Sequence, residues 1–349
     1  MIFNMVGFGE IQKLPILDPA YPEDVSVMTG LGLKATFEVS IAIDGNPAVY
    51  SYQWYRDGDE IVGATKNTYS MDISNEPGTY LIYCEVSNGT GVVTSRNAIL
   101  TILSSSPLYE FSGSHELIED DEGDWRIKLK SSGTLKLSHL GKGDGDVEVF
   151  LVGGGGGGNL SGGGGGKTTT SETSLTAGVK YSIIVGAGGE IGETGGTSSA
   201  FGQSAEGGEG GHGGSTDSYG GDGGNGGGAY GGSQRGGNGG SNGSDGYGGY
   251  YPDRNGSGQG TSTYEFGDST GTLYAGGGGG SGALWTGETS ASTYAGGSGG
   301  DGGGGKGGKP AIHAYDTGWP GDAGVVNTGG GGGGDAKGGS GIVVIRNKR

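Results

Sequence analysis

The 349-residue sequence predicts a mostly β protein: a β-sandwich, then a small β-domain carrying a bundle of polyglycine II helices. Three observations predict it. Glycine is unevenly spread, with 16 of the 92 glycines in residues 1–150 and 76 in residues 151–349. Residues 25–152 alternate apolar and polar side chains in short runs broken by pairs such as Asp57-Gly58 and Asn88-Gly89. Beyond them, pairs of glycines separate single other residues, a period of three that belongs to neither α-helix nor strand.

Composition and charge exclude several classes. No apolar run is long enough for a transmembrane helix, so no membrane insertion is expected. The start, MIFNMVGFGE, lacks a basic region followed by a continuous apolar one, so no cleaved leader is expected. The single cysteine, Cys84, excludes an internal disulfide framework and a cysteine-based zinc site. The net charge of −18 argues against nucleic acid as a partner, because phosphate binding needs an excess of Lys and Arg.

Residues 1–24 contain Pro15, Pro19 and Pro22 among scattered apolar residues and read as an extended attachment arm. Residues 25–104 read as strands: 33–43, two around Asp57-Gly58 in 50–62, 67–73, and two joined through Asn88-Gly89 in 78–103. The pattern WYRDG (54–58) followed by GTYLIYCEVSNG (78–89) resembles an immunoglobulin-like domain. The resemblance implies a buried core tryptophan at Trp54 and places Tyr80 or Tyr83 near the tyrosine corner. Cys84 stands at the second cysteine position, but Phe37 and Val39 occupy the strand that would hold its partner. Cys84 is therefore expected as a small buried apolar residue.

Residues 105–152 read as a β-domain that takes in strands 176–186 and 341–349. Three apolar strands punctuate the glycine-rich part, 147–152, 180–185 and 342–346, and one sheet is expected to hold them. An isolated strand at a chain end is unstable, so IVVIR (342–346) is expected to pair with VEVFLV (147–152).

In residues 153–341 the spacing is explicit: Glu206, Glu209, His212 and Ser215 are separated by Gly-Gly, as are Tyr219, Asp222 and Asn225. A helix with three residues per turn and about 3.1 Å rise puts every third residue on one edge and leaves two edges of bare backbone. Bare edges let rods approach until N–H meets C=O of the next rod. Each ordered glycine costs roughly 0.5–1 kcal/mol more than alanine. Only a dense lattice of inter-rod hydrogen bonds offsets that.

The series LVGGGGGG (151–158), TAGVKYSIIVGAGG (176–189) and GGSGIVVIRNKR (338–349) resembles the glycine-rich domain of bacteriophage tail proteins. It is also similar to the polyglycine-sandwich adhesins at the tips of T-even-type long tail fibres. The resemblance implies a virion protein on the particle surface, made in the host cytoplasm, that meets a host cell-surface receptor, protein or glycan, through loops between glycine helices. Other virion proteins would be held through the N-terminal arm, and homo-oligomers are allowed. The alternative is a capsid or tail decoration protein without a specific receptor, since immunoglobulin-like domains are not part of the fibre-tip pattern.

Rods of about nine residues, ~28 Å, alternating in direction, put the loops 197–205, 229–235, 261–274 and 309–328 at the end far from the strands. They carry the candidate receptor-binding residues Phe201, Tyr230, Arg235, Tyr264, Phe266, Tyr274, His313, Tyr315 and Trp319. No cofactor or metal site is expected. GGGGGKT (162–168) has Ser161 where a phosphate loop needs its first glycine. His115, His139, His212 and His313 are dispersed, and no nucleophile–base or paired-carboxylate arrangement points to an enzyme.

Overall fold

The computed structural model describes residues 11–29, 33–73, 77–120, 123–213, 219–223, 227–228, 237–248, 256–282, 295–309 and 320–348. They form two compact units: Met1–Ser106 with Asp120–Asp124, and Pro107–Glu119 with Trp125–Arg349. The protein is mostly β, and the sheets are separate rather than closed into a barrel.

The first unit is a sandwich of β1 (Ile16–Leu17), β2 (Val25–Met28), β3 (Lys34–Glu38), β4 (Ile41–Ile43), β5 (Ser51–Arg56), β6 (Asp59–Glu60), β7 (Thr68–Asp72), β8 (Gly78–Ser87), β9 (Val92–Thr94) and β10 (Ala98–Leu103). One sheet runs β2-β10-β8-β5-β6 with β9 on β8; β3 pairs β7, and β1 pairs β4. Alternation along β8 buries Ile82, Cys84 and Val86. They pack with Phe37, Trp54 and Leu100. Trp54 stands opposite Cys84 in the ladder. Its indole N–H donates to the Lys66 carbonyl at 2.8 Å, so burying the ring strands no donor.

Two expectations need correction here. Residues 33–43 are two strands in different sheets, because the chain leaves β3 after Glu38 and re-pairs at Ile41 with β1. Residues 11–24 are no free arm. β1 pairs with β4, Lys13 bridges Asn46, and the Asn88 amide donates to the Lys13 carbonyl at 2.7 Å. The apolar residues between the prolines make strand contacts that an arm in water would forgo.

Burial pushes the Cys84 thiol up to about 12. The thiolate is the reactive form. Iodoacetamide is therefore expected to leave Cys84 unmodified in the folded protein at pH 8 and to label it fully in 8 M urea (on the order of chain-unfolding concentrations), as read by intact mass.

The second unit contains β11 (Leu108–Phe111), β12 (His115–Glu119), β13 (Trp125–Leu129), β14 (Gly133–His139), β15 (Asp146–Val152), β16 (Thr168–Ser174), β17 (Lys180–Ile183), β18 (Ser198–Ala200), β19 (Gln203–Ala205) and β20 (Ile342–Asn347). A five-stranded sheet has the order β12-β13-β20-β15-β16, and a three-stranded sheet the order β11-β14-β17. β20 pairs β15 from Ile342↔Val152 to Asn347↔Val147, as the end-of-chain argument requires. Val147, Val149 and Leu151 face one core with Ile127, Leu129, Leu135, Val343 and Ile345. Phe150, Val152, Ile342 and Val344 face another.

The one-sheet expectation holds for two of its three strands. Residues 180–183 belong to the three-stranded sheet, paired with β14. The strand flanking β15 on its other side, at the sheet edge, is TTTSETS, β16, whose polar composition suits an edge strand and carries little apolar signal.

From β15 the chain enters the glycine lattice. In the rod 153–158, Gly153 and Gly156 donate to Lys167 and Gly164, Gly154 and Gly157 to Gly196 and Glu193, and Gly155 and Gly158 to Gly339 and Ala336, all at 2.8–3.0 Å. These three partners run antiparallel. Three parallel neighbours donate back, Gly208 to Gly154, Gly189 to Gly155 and Gly332 to Gly156. Partners recur every three residues, so each rod has three residues per turn and a central rod has six neighbours. Rod 162–167 is likewise central: it donates to Gly228, Gly332 and Glu209, and its carbonyls accept from Gly156, Gly221 and Gly278.

These contacts stack the described rods in four layers. The first holds 193–197, 206–213, 219–223 and 256–260. The second holds 186–190, 153–158, 162–167, 227–228 and 244–248. The third holds 336–341, 329–334, 275–282 and 237–241. The last holds 320–324, 304–309 and 295–301.

Rods are shorter than nine residues. Turns at Gly192, Asn242-Gly243, Gly302-Gly303 and Asp335, all with positive φ, divide apparent single runs into outward and inward pairs. Rod 153–158 spans about 19 Å rather than ~28 Å. Splitting runs into outward and inward pairs puts two of the expected loops, 197–205 and 261–274, beside the sheets instead. Residues 197–205 are the β18–β19 hairpin, whose Ala200 and Ala205 join the sheet core. Residues 261–274 form a strap over the other face of the five-stranded sheet. Residues 325–328 turn beside Val152 and Gly329, whereas 229–235 and 310–319 lie outside the described residues, and the residues flanking them bond at the other end: Gly228 accepts from Gly162, Gly282 donates to Gly308, and Gly321 to Gly334.

Candidate functional site

The nine aromatic and basic residues expected at the receptor end divide into three groups. Tyr230, Arg235, His313, Tyr315 and Trp319 lie outside the described residues. Phe201, Phe266 and Tyr274 are not displayed, and Tyr264 is half-buried at the start of the strap.

Phe201 packs its ring against Tyr181, 5.3 Å between centroids, on the sheet core. Phe266 and Tyr274 are only 8% and 3% exposed. Both rest on Phe150, at 5.9 and 5.4 Å. The physical reason is the sheet itself: Phe150, Val152, Ile342 and Val344 form an apolar face with no second sheet over it among the described residues, and the strap supplies the cover.

The strap is also held by charge. Glu265 is paired with Arg126 and, at 2.7 Å, with Lys128. The Tyr274 hydroxyl donates to the same carboxylate. Burial, and next that hydrogen bond to Glu265, push the Tyr274 hydroxyl far above its ordinary range, so it is always a donor here. Arg346 spans Glu148 at 2.7 Å and Asp268 at 3.1 Å, with its guanidinium 4.0 Å from the Phe266 ring centroid. Charges balance within the network, and every described member touches a partner. This is an anchor, with no vacancy for a ligand.

The end of the lattice away from the sheets is where described side chains converge without a core to fill. The turn 159–161 joins rods 153–158 and 162–167. Ser161 Oγ, fully buried, lies 2.6 Å from both the His212 and the Tyr219 carbonyl oxygens, which share its single hydrogen. The His212 N–H donates to the same Tyr219 carbonyl at 3.1 Å. This last rung fixes the ends of rods 206–213 and 219–223. Their side chains stack: the His212 and Tyr219 rings are 4.0 Å apart at 28°. Tyr219 remains 42% exposed and His212 is exposed. The Asn159 side chain sits at the same corner, in the space a side chain at Gly213 would need. Ile191, 51% exposed, caps the neighbouring turn.

A groove of about 500 Å³ runs along the outer face of the same rods. Thr194 and Thr197 line one wall, Glu206 and Glu209 the floor, and Asp222 the other wall, with Lys167 at the sheet end. Lys167 pairs with Glu206 at 2.6 Å and, chiefly through that hydrogen bond, holds its carboxyl below the usual range. His212 and Tyr219 are the next third-position residues after Glu209 and before Asp222, so the groove leads to the ring pair. Among the described residues no group of three His, Cys, Asp or Glu side chains is spaced to hold a metal ion. The triplet spacing already put His212 and Tyr219 on rod edges. What it lacked was the run lengths that make those edges the exposed end.

Residues 131–348 match a protein family described as a glycine-rich domain. None of the curated proteins matches the chain. Among solved structures, a Bacteroides ovatus mixed-linkage glucan utilization locus protein, SGBP-B, in complex with a mixed-linkage heptasaccharide is 12% identical, covering 55% of this chain and 66% of that one, at a TM-score of 0.22. A chimeric titin Z1Z2 tandem is 20% identical, covering 38% and 66%, at a TM-score of 0.18. The chain thus spans just under two thirds of either structure, and likenesses this loose carry no argument.

Proposed function

We propose, for a chain that belongs to the glycine-rich domain family, that it is a bacteriophage virion protein that binds a host-surface receptor with the far end of its glycine lattice. The observation that carries the reading is the contrast between the two ends of that lattice. On the sheet side, Phe201, Phe266 and Tyr274 are spent on packing. At the far end, His212 and Tyr219 stand exposed on rods whose backbone is hydrogen-bonded to its tips.

Rigid display suits recognition, because little chain entropy is lost when a stiff end meets its target. Several copies on one particle would add avidity. With residues 11–24 taken up in the first sandwich, attachment to the particle falls to that unit rather than to a free arm. The acidic net charge of −18 limits the receptor to neutral or basic surfaces.

The purified chain, fluorescently labelled, is expected to adsorb to cells of a susceptible bacterium and to block infection by the particle that carries it. Exchanging the exposed His212, Tyr219 and Ile191 together for alanine is expected to abolish adsorption at unchanged melting temperature. Adsorption that survives the exchange overturns the far end as the contact. A chain that decorates particles but binds no cell and blocks no infection favours the decoration protein.

A further inference from the structure

We infer that the groove along rods 193–197, 206–213 and 219–223, with the Tyr219–His212 ring pair at its end, is a binding cleft for an extended neutral saccharide. This rests on the receptor-binding reading above and names the ligand chemistry for it.

Four observations carry it. The first is shape: the groove follows the rod from Glu206 to Glu209, one lattice repeat of about 9 Å, and the same rod edge continues one further repeat to His212, a straight track that suits a linear ligand rather than a compact one. The second is the platform. The Tyr219 ring, not among the residues expected at the receptor end, takes His212 on one face and contributes to none of the apolar cores, whereas the expected aromatic residues that are described are all at least half-buried. An aromatic ring meets the C–H face of a sugar ring while leaving the hydroxyl rim free.

The third is the set of polar groups below the platform. Glu209 and Asp222 are acceptors, Lys167 is a donor, and Thr194 and Thr197 are both. The half-exposed Gly207 lines the groove with backbone alone, the side a Cβ would occupy being packed on the Gly195 carbonyl. Asn159 adds an amide beside the rings. Hydroxyl groups, which both donate and accept, are the ligand groups that such a mixture satisfies at every point.

The fourth is charge. Glu206, Glu209 and Asp222 against Lys167 leave the cleft net negative, so sialylated or phosphorylated sugars are repelled. The walls hold no aliphatic side chain larger than threonine, so an apolar peptide would find no pocket for its anchors. The cleft is also preformed: Ser161 Oγ and the lattice hold both rods before a ligand arrives.

The test uses the full-length chain on an immobilised panel of neutral, sialylated and phosphorylated oligosaccharides. Retention of at least one neutral class is expected, with no retention of its sialylated counterpart. Tyr219→Ala is expected to weaken retention about tenfold or more, and Glu209→Gln with Asp222→Asn by about threefold or more, with unchanged melting temperatures. Tyr247→Ala, on an exposed ring of another rod, is the matched control and is expected to change nothing. A blank neutral panel, or equal retention by the Tyr219→Ala variant, overturns the inference. A blank panel with intact cell adsorption removes the saccharide cleft and leaves the receptor-binding reading standing. Sugar retention without adsorption to any cell does the reverse.

Discussion

Adding one methyl group at Gly157 is expected to unfold the second unit. A Cβ built on Gly157 falls inside the carbonyl oxygen of Glu190, and neither group has a flexible side chain that could give way. To admit it, rod 186–190 must move off rod 153–158. That breaks the ladder through which Gly189 donates to Gly155 and loosens the rungs Gly157 to Glu193 and Gly211 to Gly157. Overpacking a tight interior costs about 1–3 kcal/mol or more, and each lost hydrogen bond about 1 kcal/mol. A Gly157→Ala chain gains back only about 0.4–1 kcal/mol from its stiffer unfolded state. The sum is a large part of the ~5–15 kcal/mol that holds a domain together.

The informative control is Gly202→Ala. Gly202 sits at φ +79° in the β18–β19 turn with nothing within 4 Å of its Cβ position. There the penalty is backbone strain alone, about 1–2 kcal/mol. Calorimetry of the two variants separates the lattice from ordinary glycine turns. If Gly157→Ala melts no lower than Gly202→Ala, the lattice is not close-packed.

Removing the Glu265 carboxylate is expected to have the second large effect. Glu265→Ala leaves Arg126 and Lys128 without their shared partner beneath the strap and deprives the Tyr274 hydroxyl of its acceptor. Breaking a buried pair by deleting one member costs about 3–5 kcal/mol. The loss should show as a lower second-unit transition in urea. Strap contacts of Phe266 and Tyr274 with Phe150 should weaken with it, as read by ring proton shifts. Replacing Arg126, Lys128 and Glu265 together by apolar residues is expected to recover much of the stability, because no stranded charge remains. Glu206→Ala removes an exposed pair with Lys167 and is expected to leave the transition where it was. Equal melts for Glu265→Ala and Glu206→Ala would show that the network adds nothing.

Both predictions concern features that were unequally legible. The lattice was readable as a period: Gly-Gly between single residues demands three-residue turns whatever the neighbours are. The strap was not. Phe266 and Tyr274 look like display residues in a glycine-rich loop, since nothing local says that the outer face of β15 and β20 lacks a second sheet. The network is equally hidden, because Arg126, Glu265 and Arg346 are brought together from distant parts of the chain.

The sandwich was more readable, since alternation along β8 and the Asp57-Gly58 turn are local properties. Its N-terminal strands were not, because β1 and β2 are short and pair with strands far along the chain.

Composition, the triplet period and the apolar runs by themselves determined that this chain is β followed by close-packed glycine rods, and that its last strand returns to β15. Those are consequences of backbone geometry and local solvation, which each stretch of residues carries with it. Tertiary structure alone decided how long each rod is, and therefore which turns face outward. A rod must end where its six neighbours end, or its N–H and C=O groups lose their partners. That common length turned the expected contact loops 197–205 and 261–274 back onto the sheets and left His212 and Tyr219 at the exposed tip.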